Sequence, residues 1–289
     1  MDSAGKIFHA LAFAYYCFSY YYYCEHVYYR VNASDFRPKS YQYGGDTKFL
    51  TMWCWYFQIV YFFLCCVANV MEMMGMKPQK MHTMRDWFLS SIAFPVGMMV
   101  VSMFWILWSI DRKLVFPKEL DEFFPVWLNH VLHTNVLPIL LVDMWLIRHK
   151  PPSKIRGVTT LSLFSALYMA WIFWLGYGVN IWVYPILRVL SGIKFIFFIV
   201  LCATAPLPVY FLGEWCINVF HGKYQSTVVA TRIKGTRNIP PDTIQLNSIQ
   251  FNYLVNHQKD KNSTIYSINK VSEKQQQIDG SETPEKQCL

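Results

Sequence analysis

Asn129, His130, His133 and Thr134 fall within the run Trp127-Leu128-Asn129-His130-Val131-Leu132-His133-Thr134, inside an apolar stretch from Phe123 to Ile147 that otherwise reads as a membrane-spanning helix. Polar side chains at membrane depth are costly and mark functional sites. At 3.6 residues per turn, His130 and His133 share one face, and Asn129 lies one turn before His133 on the same stripe. Two chemistries suit that face: an imidazole acting as general base, or paired imidazoles presenting themselves to a metal. The plainer alternatives are helix packing and sensing of protonation.

Other polar residues held in the apolar blocks are Thr51, Asp143 and Glu214. Thr51 stands about one turn inside another apolar block, after Gly44-Gly45-Asp46-Thr47-Lys48. A threonine in a membrane helix ordinarily bonds the carbonyl one turn back. Helix rise places His133 about 15 Å deep, so kinks, tilt or shifted helix starts must bring the two level. Asn129 would orient the imidazole or donate to an oxyanion, with His130 as a further supporting candidate. Asp143 is about 15 Å along the helix from His133, too far for a direct bond. Asp143 and Glu214 both read as helix-end carboxylates reaching the interface.

The metal reading lacks a third ligand. His26, at the end of the first apolar block, is a weak candidate, and His9 lies near the opposite surface. No CxxC pair or Cys/His zinc spacing occurs. The expected site is therefore free of metal and cofactor, with a zinc-dependent lipid hydrolase as the alternative.

The elements that must position these residues are hydrophobic. The 289-residue chain is 54% hydrophobic, 18% aromatic and 15% charged, an integral membrane composition. The net charge of +8 does not indicate nucleic acid, because Lys and Arg sit between apolar blocks and in the tail rather than on one patch. Six blocks, about 7–29, 48–71, 87–110, 123–147, 157–178 and 190–220, have the length of a bilayer span. The first is wetted by Tyr20 to Tyr23, which suit an aromatic belt, and Pro206 and Pro208 should break the sixth. Ile181 to Ile186 is apolar but too short to span, which suits an interfacial or re-entrant segment. Most cysteines, Cys65 and Cys66 among them, read as small core residues.

This predicts an all-α polytopic membrane protein with a six-helix transmembrane domain over 1–222 and a disordered polar tail over 223–289. Six spans put both termini on one side. That side collects Lys6, Lys77, Lys80, Arg85, Arg148, Lys150, Lys154 and Arg156 with the tail's Lys223, Arg232, Lys234 and Arg237, against fewer basic residues opposite, so both termini are expected in the cytosol. The sequon Asn32-Ala33-Ser34 then lies on the other side. No cleaved signal is expected. The endoplasmic reticulum or plasma membrane would house such a chain, with bilayer lipid as its surroundings.

Several motifs in order resemble the family of androgen-induced and androgen-dependent TFPI-regulating multi-pass membrane proteins. They are Tyr43-Gly44-Gly45 with Lys48-Phe49-Leu50-Thr51, Arg85-Asp86-Trp87, Ala93-Phe94-Pro95-Val96-Gly97, Phe104-Trp105, Asp111-Arg112, Trp127 to Thr134, and Trp182-Val183-Tyr184-Pro185. The resemblance implies a threonine hydrolase of fatty acid esters of hydroxy fatty acids, with Thr51 and His133 as the catalytic pair and a lipid ester as substrate. His130 is not the histidine that pattern marks. The chain departs from it at Phe116-Pro117, where the family tends to Tyr-Pro, and in its long tail. A non-enzymatic lipid-binding or signalling membrane protein is the rival reading.

Overall fold

The computed structural model describes residues 3–28, 30, 43–116 and 118–235, which contain helices and turns and no strand. The protein is an all-α polytopic membrane protein. The chain divides into two units, Met1–Ser226 and Thr227–Leu289. All the side-chain geometry below belongs to the first. The sequon at Asn32 and the tail beyond residue 235 lie outside the described residues.

Helix α1 (Ser3–Tyr22) buries Gly5, His9, Ala12, Tyr16 and Ser19, a stripe in steps of three and four that packs on α2 (Leu50–Met73). It continues as π-helical turns over Tyr23–Tyr28. Helix α2 buries Trp55, Gln58, Tyr61, Phe62 and Cys65 and runs through the core. Helices α3 (Gln79–Phe88) and α4 (Phe94–Ile110) form one rod, widened to a π-turn at Leu89–Ala93. Pro95 accounts for the widening, because it has no N–H to return to the preceding turn and its ring crowds the carbonyl there.

The fourth block, expected as one helix over 123–147, is two: α5 (Val126–His133) and α6 (Val136–Leu146). The amides of Thr134 and Asn135 both donate to the His130 carbonyl, at 2.9 and 2.8 Å, and so close α5. Asn135 Nδ2 donates to the Tyr15 hydroxyl at 2.7 Å, tying the break to α1. Then come α7 (Lys154–Phe173), prolonged by π-turns to Gly178, the short α8 (Ile186–Val189), α9 (Gly192–Thr204) and α10 (Pro206–Gly235). The break between the last two falls at Ala205, beside the prolines that predict it.

Among the described residues, four helices are long and apolar enough to cross a bilayer: α2, α3–α4, α7 with its extension, and α9–α10 as far as His221. Six were expected. The first block is diluted by Tyr15, Tyr16, Tyr20, Tyr21 and Tyr22, and the fourth is divided so that α6 is apolar but short. Burial sorts the four. In α3–α4, 61% of the apolar window is inside the fold, against 11% in α9–α10. The first is core, and the second lies largely exposed on the outside of the fold.

Asp143 corrects the interface reading, since it is fully buried. His9 Nε2 donates to its Oδ1 at 2.8 Å, and the Tyr61 hydroxyl donates to its Oδ2. His149 Nε2 forms an ion pair with Oδ2 at 3.0 Å, off the hydrogen-bond direction. The other nitrogen of His149 donates to Asp86 Oδ1 at 2.8 Å, and Asp86 also receives Arg85 at 2.9 and 2.7 Å. Burial by itself pushes an imidazole down, but Asp143 and Asp86 together hold His149 above its ordinary value. The second nitrogen of His9 contacts Asn69 Nδ2 at 3.1 Å. Arg85 and His149 thus face the carboxylates of Asp86 and Asp143 in a cluster that joins α1, α2, α3, α6 and the loop after α6.

Candidate active site

His133 is the last residue of α5, and its place is determined by what the end of a helix leaves open. A terminal carbonyl has no intrahelical partner. Here the Trp105 indole on α4 donates to the His133 carbonyl at 2.7 Å. The ring of Phe104, next in sequence to Trp105, stacks on the His133 ring with centroids 3.6 Å apart and planes 10° apart. One dipeptide of α4 therefore holds both the backbone and the ring of His133.

The ring nitrogens have distinct roles. Nδ1 contacts Asn129 Oδ1 at 2.7 Å and the Asn129 carbonyl at 3.1 Å. A backbone carbonyl only accepts, so Nδ1 carries the hydrogen and Nε2 carries the lone pair. Nε2 lies 3.4 Å from Thr51 Oγ1. The distance is at the long end of hydrogen bonding, as is common for catalytic pairs without substrate. Thr51 does not make the local bond to a carbonyl one turn back that membrane threonines ordinarily make; the contact shown for its hydroxyl is His133.

The sequence-predicted residues are thus brought together in part. Thr51, His133 and Asn129 meet, and Asn129 serves the imidazole through its oxygen. His130 stands apart. The 60° that separates positions i and i+3 on a helix turns it outward, where it is exposed and bonds Thr134 Oγ1 at 3.0 Å. His26 is exposed and stacked on Tyr22, with ring centroids 4.4 Å apart. Among the described residues, no three His, Cys, Asp or Glu side chains are grouped to hold a metal ion.

Thr51 is the second residue of α2. The N-cap, Phe49, has no side-chain oxygen to cap the helix. Instead the Leu50 amide donates to the Tyr184 hydroxyl at 2.9 Å, and the Tyr168 hydroxyl donates to the Lys48 carbonyl at 3.0 Å. Tyr184 belongs to the short apolar segment read as interfacial or re-entrant, which here packs against α2 and α7. Phe104, Trp105, Tyr168 and Tyr184 are the site residues that the chemical reading passed over. Phe104, Trp105 and Tyr184 stood among the ordered motifs with no role assigned, and Tyr168 only in an aromatic run, which in a membrane protein reads first as packing or as a belt.

Thr51 and His133 face a partly open cavity of about 280 Å³. Its walls are mainly aliphatic, Phe and Met side chains from α2, α4, α7, α8 and α9, with Tyr23, Tyr168 and Tyr184. Asp46 is the one carboxylate in its lining among the described residues, and it accepts from the Tyr23 hydroxyl. The partner of the imidazole is therefore an amide rather than an acid.

The family model for "FAR-17a/AIG1-like protein" matches residues 5–218, a range that includes every residue of this site. The chain belongs to the FAR-17a/AIG1-like family. Among its relatives is the androgen-induced gene 1 protein of Homo sapiens, 39% identical over 189 residues, which are 61% of this chain and 78% of that protein. The androgen-dependent TFPI-regulating protein of Mesocricetus auratus is 32% identical over 224 residues, 77% of this chain and 94% of the relative. Its Homo sapiens counterpart is 34% identical over 210 residues, 72% and 89% respectively. No solved structure matches. The FAR-17a/AIG1-like match ends at residue 218, so the polar tail lies beyond the family's common part.

Proposed function

We propose that this FAR-17a/AIG1-like protein hydrolyses fatty acid esters of hydroxy fatty acids, with Thr51 as nucleophile and His133 as base. The observation that carries the reading is the fixed tautomer: Asn129 takes the Nδ1 hydrogen, which leaves the Nε2 lone pair facing the Thr51 hydroxyl inside an apolar cavity. A threonine hydroxyl is a poor nucleophile until a neighbouring base takes its proton during attack.

Thr51 Oγ1 attacks the ester carbonyl while Nε2 takes its proton. The tetrahedral intermediate collapses with loss of the hydroxy fatty acid alkoxide, which receives that proton, and the acyl group stays on Thr51. A water then gives its proton to Nε2 and attacks the acyl-threonine, releasing the fatty acid and restoring the hydroxyl. The imidazolium formed in each half-reaction keeps its Nδ1 hydrogen on two Asn129 oxygens, a dipolar partner in place of the usual carboxylate. Apolar walls suit a doubly acylated lipid that diffuses in from the bilayer.

Both termini are proposed to be cytosolic, in the endoplasmic reticulum or the plasma membrane. A glycan on Asn32 in the expressed protein supports that orientation, and modification of engineered sequons in the tail contradicts it. The chemistry is tested by ester hydrolysis and by labelling with a lipid-like serine-hydrolase probe. Thr51→Ala and His133→Ala, accumulated to wild-type levels, are each expected to lose both. Normal turnover in either variant overturns the mechanism.

A further inference from the structure

The first turn of α2 is capped from outside itself. Leu50 N–H meets Tyr184 Oη at 2.9 Å, Tyr184 Oη meets Tyr168 Oη at 2.9 Å, and Tyr168 Oη meets the Lys48 carbonyl at 3.0 Å. The ends of this chain determine its direction, because an amide hydrogen only donates and a carbonyl only accepts. Each hydroxyl has one hydrogen. One assignment satisfies all three contacts: Leu50 N–H to Tyr184, Tyr184 O–H to Tyr168, and Tyr168 O–H to the Lys48 carbonyl. The two residues bonded are the first and third before Thr51. The two tyrosines come from elsewhere, Tyr168 from α7 and Tyr184 from the segment before α8.

We propose that Tyr168 and Tyr184 are positioning residues for Thr51, a relay that sets the direction of the first turn of α2 and so holds the threonine hydroxyl on His133 Nε2. The inference rests on the reading of Thr51 as nucleophile. An ordinary helix start is capped by a Ser, Thr, Asp or Asn at the N-cap. Phe49 cannot cap, so the orientation of the turn is delegated to α7 and to the 181–186 segment, both of which also wall the cavity. With Thr51 already 3.4 Å from Nε2, a small rotation of that turn breaks the contact. Misplacements of this kind cost rate rather than binding.

The experiment is steady-state ester hydrolysis by the full-length protein in detergent, comparing wild type, Thr51→Ala, Tyr184→Phe, Tyr168→Phe and the double Phe variant. Tyr184→Phe keeps the ring and removes the acceptor of the Leu50 amide. Its kcat is expected to fall about 10- to 100-fold with KM changed less than about threefold. The double variant is expected to lose about as much as Tyr184→Phe alone, because one relay is broken once. Should Tyr184→Phe fail to accumulate, Tyr168→Phe decides, since it leaves the Leu50 amide capped and interrupts only the relay. An inactive Thr51→Ala beside a Tyr184→Phe or Tyr168→Phe with wild-type kcat overturns the positioning role alone. An active Thr51→Ala overturns the nucleophile, and the relay with it. A rise in KM at unchanged kcat shows that the tyrosines only line the cavity, which also overturns the proposal.

Discussion

Asn129 holds His133 twice through a single ring nitrogen, with its side-chain oxygen at 2.7 Å and its backbone carbonyl at 3.1 Å from Nδ1. One residue thereby selects both the tautomer and the direction of the ring. Asn129→Leu removes the nearer anchor and keeps the carbonyl. The hypothesis that Asn129 orients the base predicts a fall in kcat of about 10- to 100-fold with the protein still folded. Wild-type turnover in purified Asn129→Leu would leave the backbone carbonyl and the Phe104 stack as the orienting contacts.

The spacing of Asn129 and His133 was legible in the sequence because a helix repeat puts positions i and i+4 in contact. The same repeat misled over His130, where 60° of offset decides between the core and the outside. Thr51 could not be paired with His133 by counting residues, because the break at Thr134–Asn135 and the helix start at Val126 alter the depth of α5. Asp143 was misread for a related reason. Its partners His9 and Tyr61 come from distant segments and His149 from the loop just after α6, and nothing local announces that they converge. The apolar blocks themselves were plain, since a bilayer span needs continuous length; the tyrosine-rich first block and the divided fourth were the two that hydropathy alone did not settle.

His149 faces Asp86 on one side and Asp143 on the other, with Arg85, Tyr61 and His9 completing the cluster around those carboxylates. Its raised folded value sets the sign of a pH effect. The imidazolium stabilises fully below the unfolded value of about 6.5, and this contribution is lost as pH rises through the higher folded value. The wild-type melting temperature in detergent is expected to decline on that alkaline side. His149→Gln is expected to lose the decline and to melt lower throughout, by about 3–5 kcal/mol for a buried carboxylate left without its partner. A wild-type profile flat from pH 6 to 9 would contradict the charged state.

Gly97 on α4 packs against α6. A Cβ there would lie 2.8 Å from Val136 Cγ1 and 3.4 Å from Leu140 Cδ1. Valine in a helix is confined to essentially one rotamer, so the helices must separate instead. Gly97→Ala is expected to cost about 1–3 kcal/mol by overpacking. Because Val136 opens α6 directly after the break that ends at His133, activity should fall together with melting temperature. A fully stable Gly97→Ala would show that α6 moves without strain.

Met99 projects into the same cavity from α4, about a turn from Phe104, and faces walls that include Phe164 and Leu187. About 280 Å³ is near the lower end of ligand pockets, so the cavity holds the ester and the chain segments beside it rather than two complete acyl chains. Chain-length preference should then be set by the side chains that bound the space. Met99→Trp adds volume, and its kcat/KM for long-chain esters is expected to drop about tenfold or more relative to short-chain ones; Met99→Ala shifts the preference the other way. The measurement is kcat/KM across a series of esters that differ only in acyl length. An equal loss for every length would mean that Met99→Trp disturbs the pair itself, and that the chains lie elsewhere.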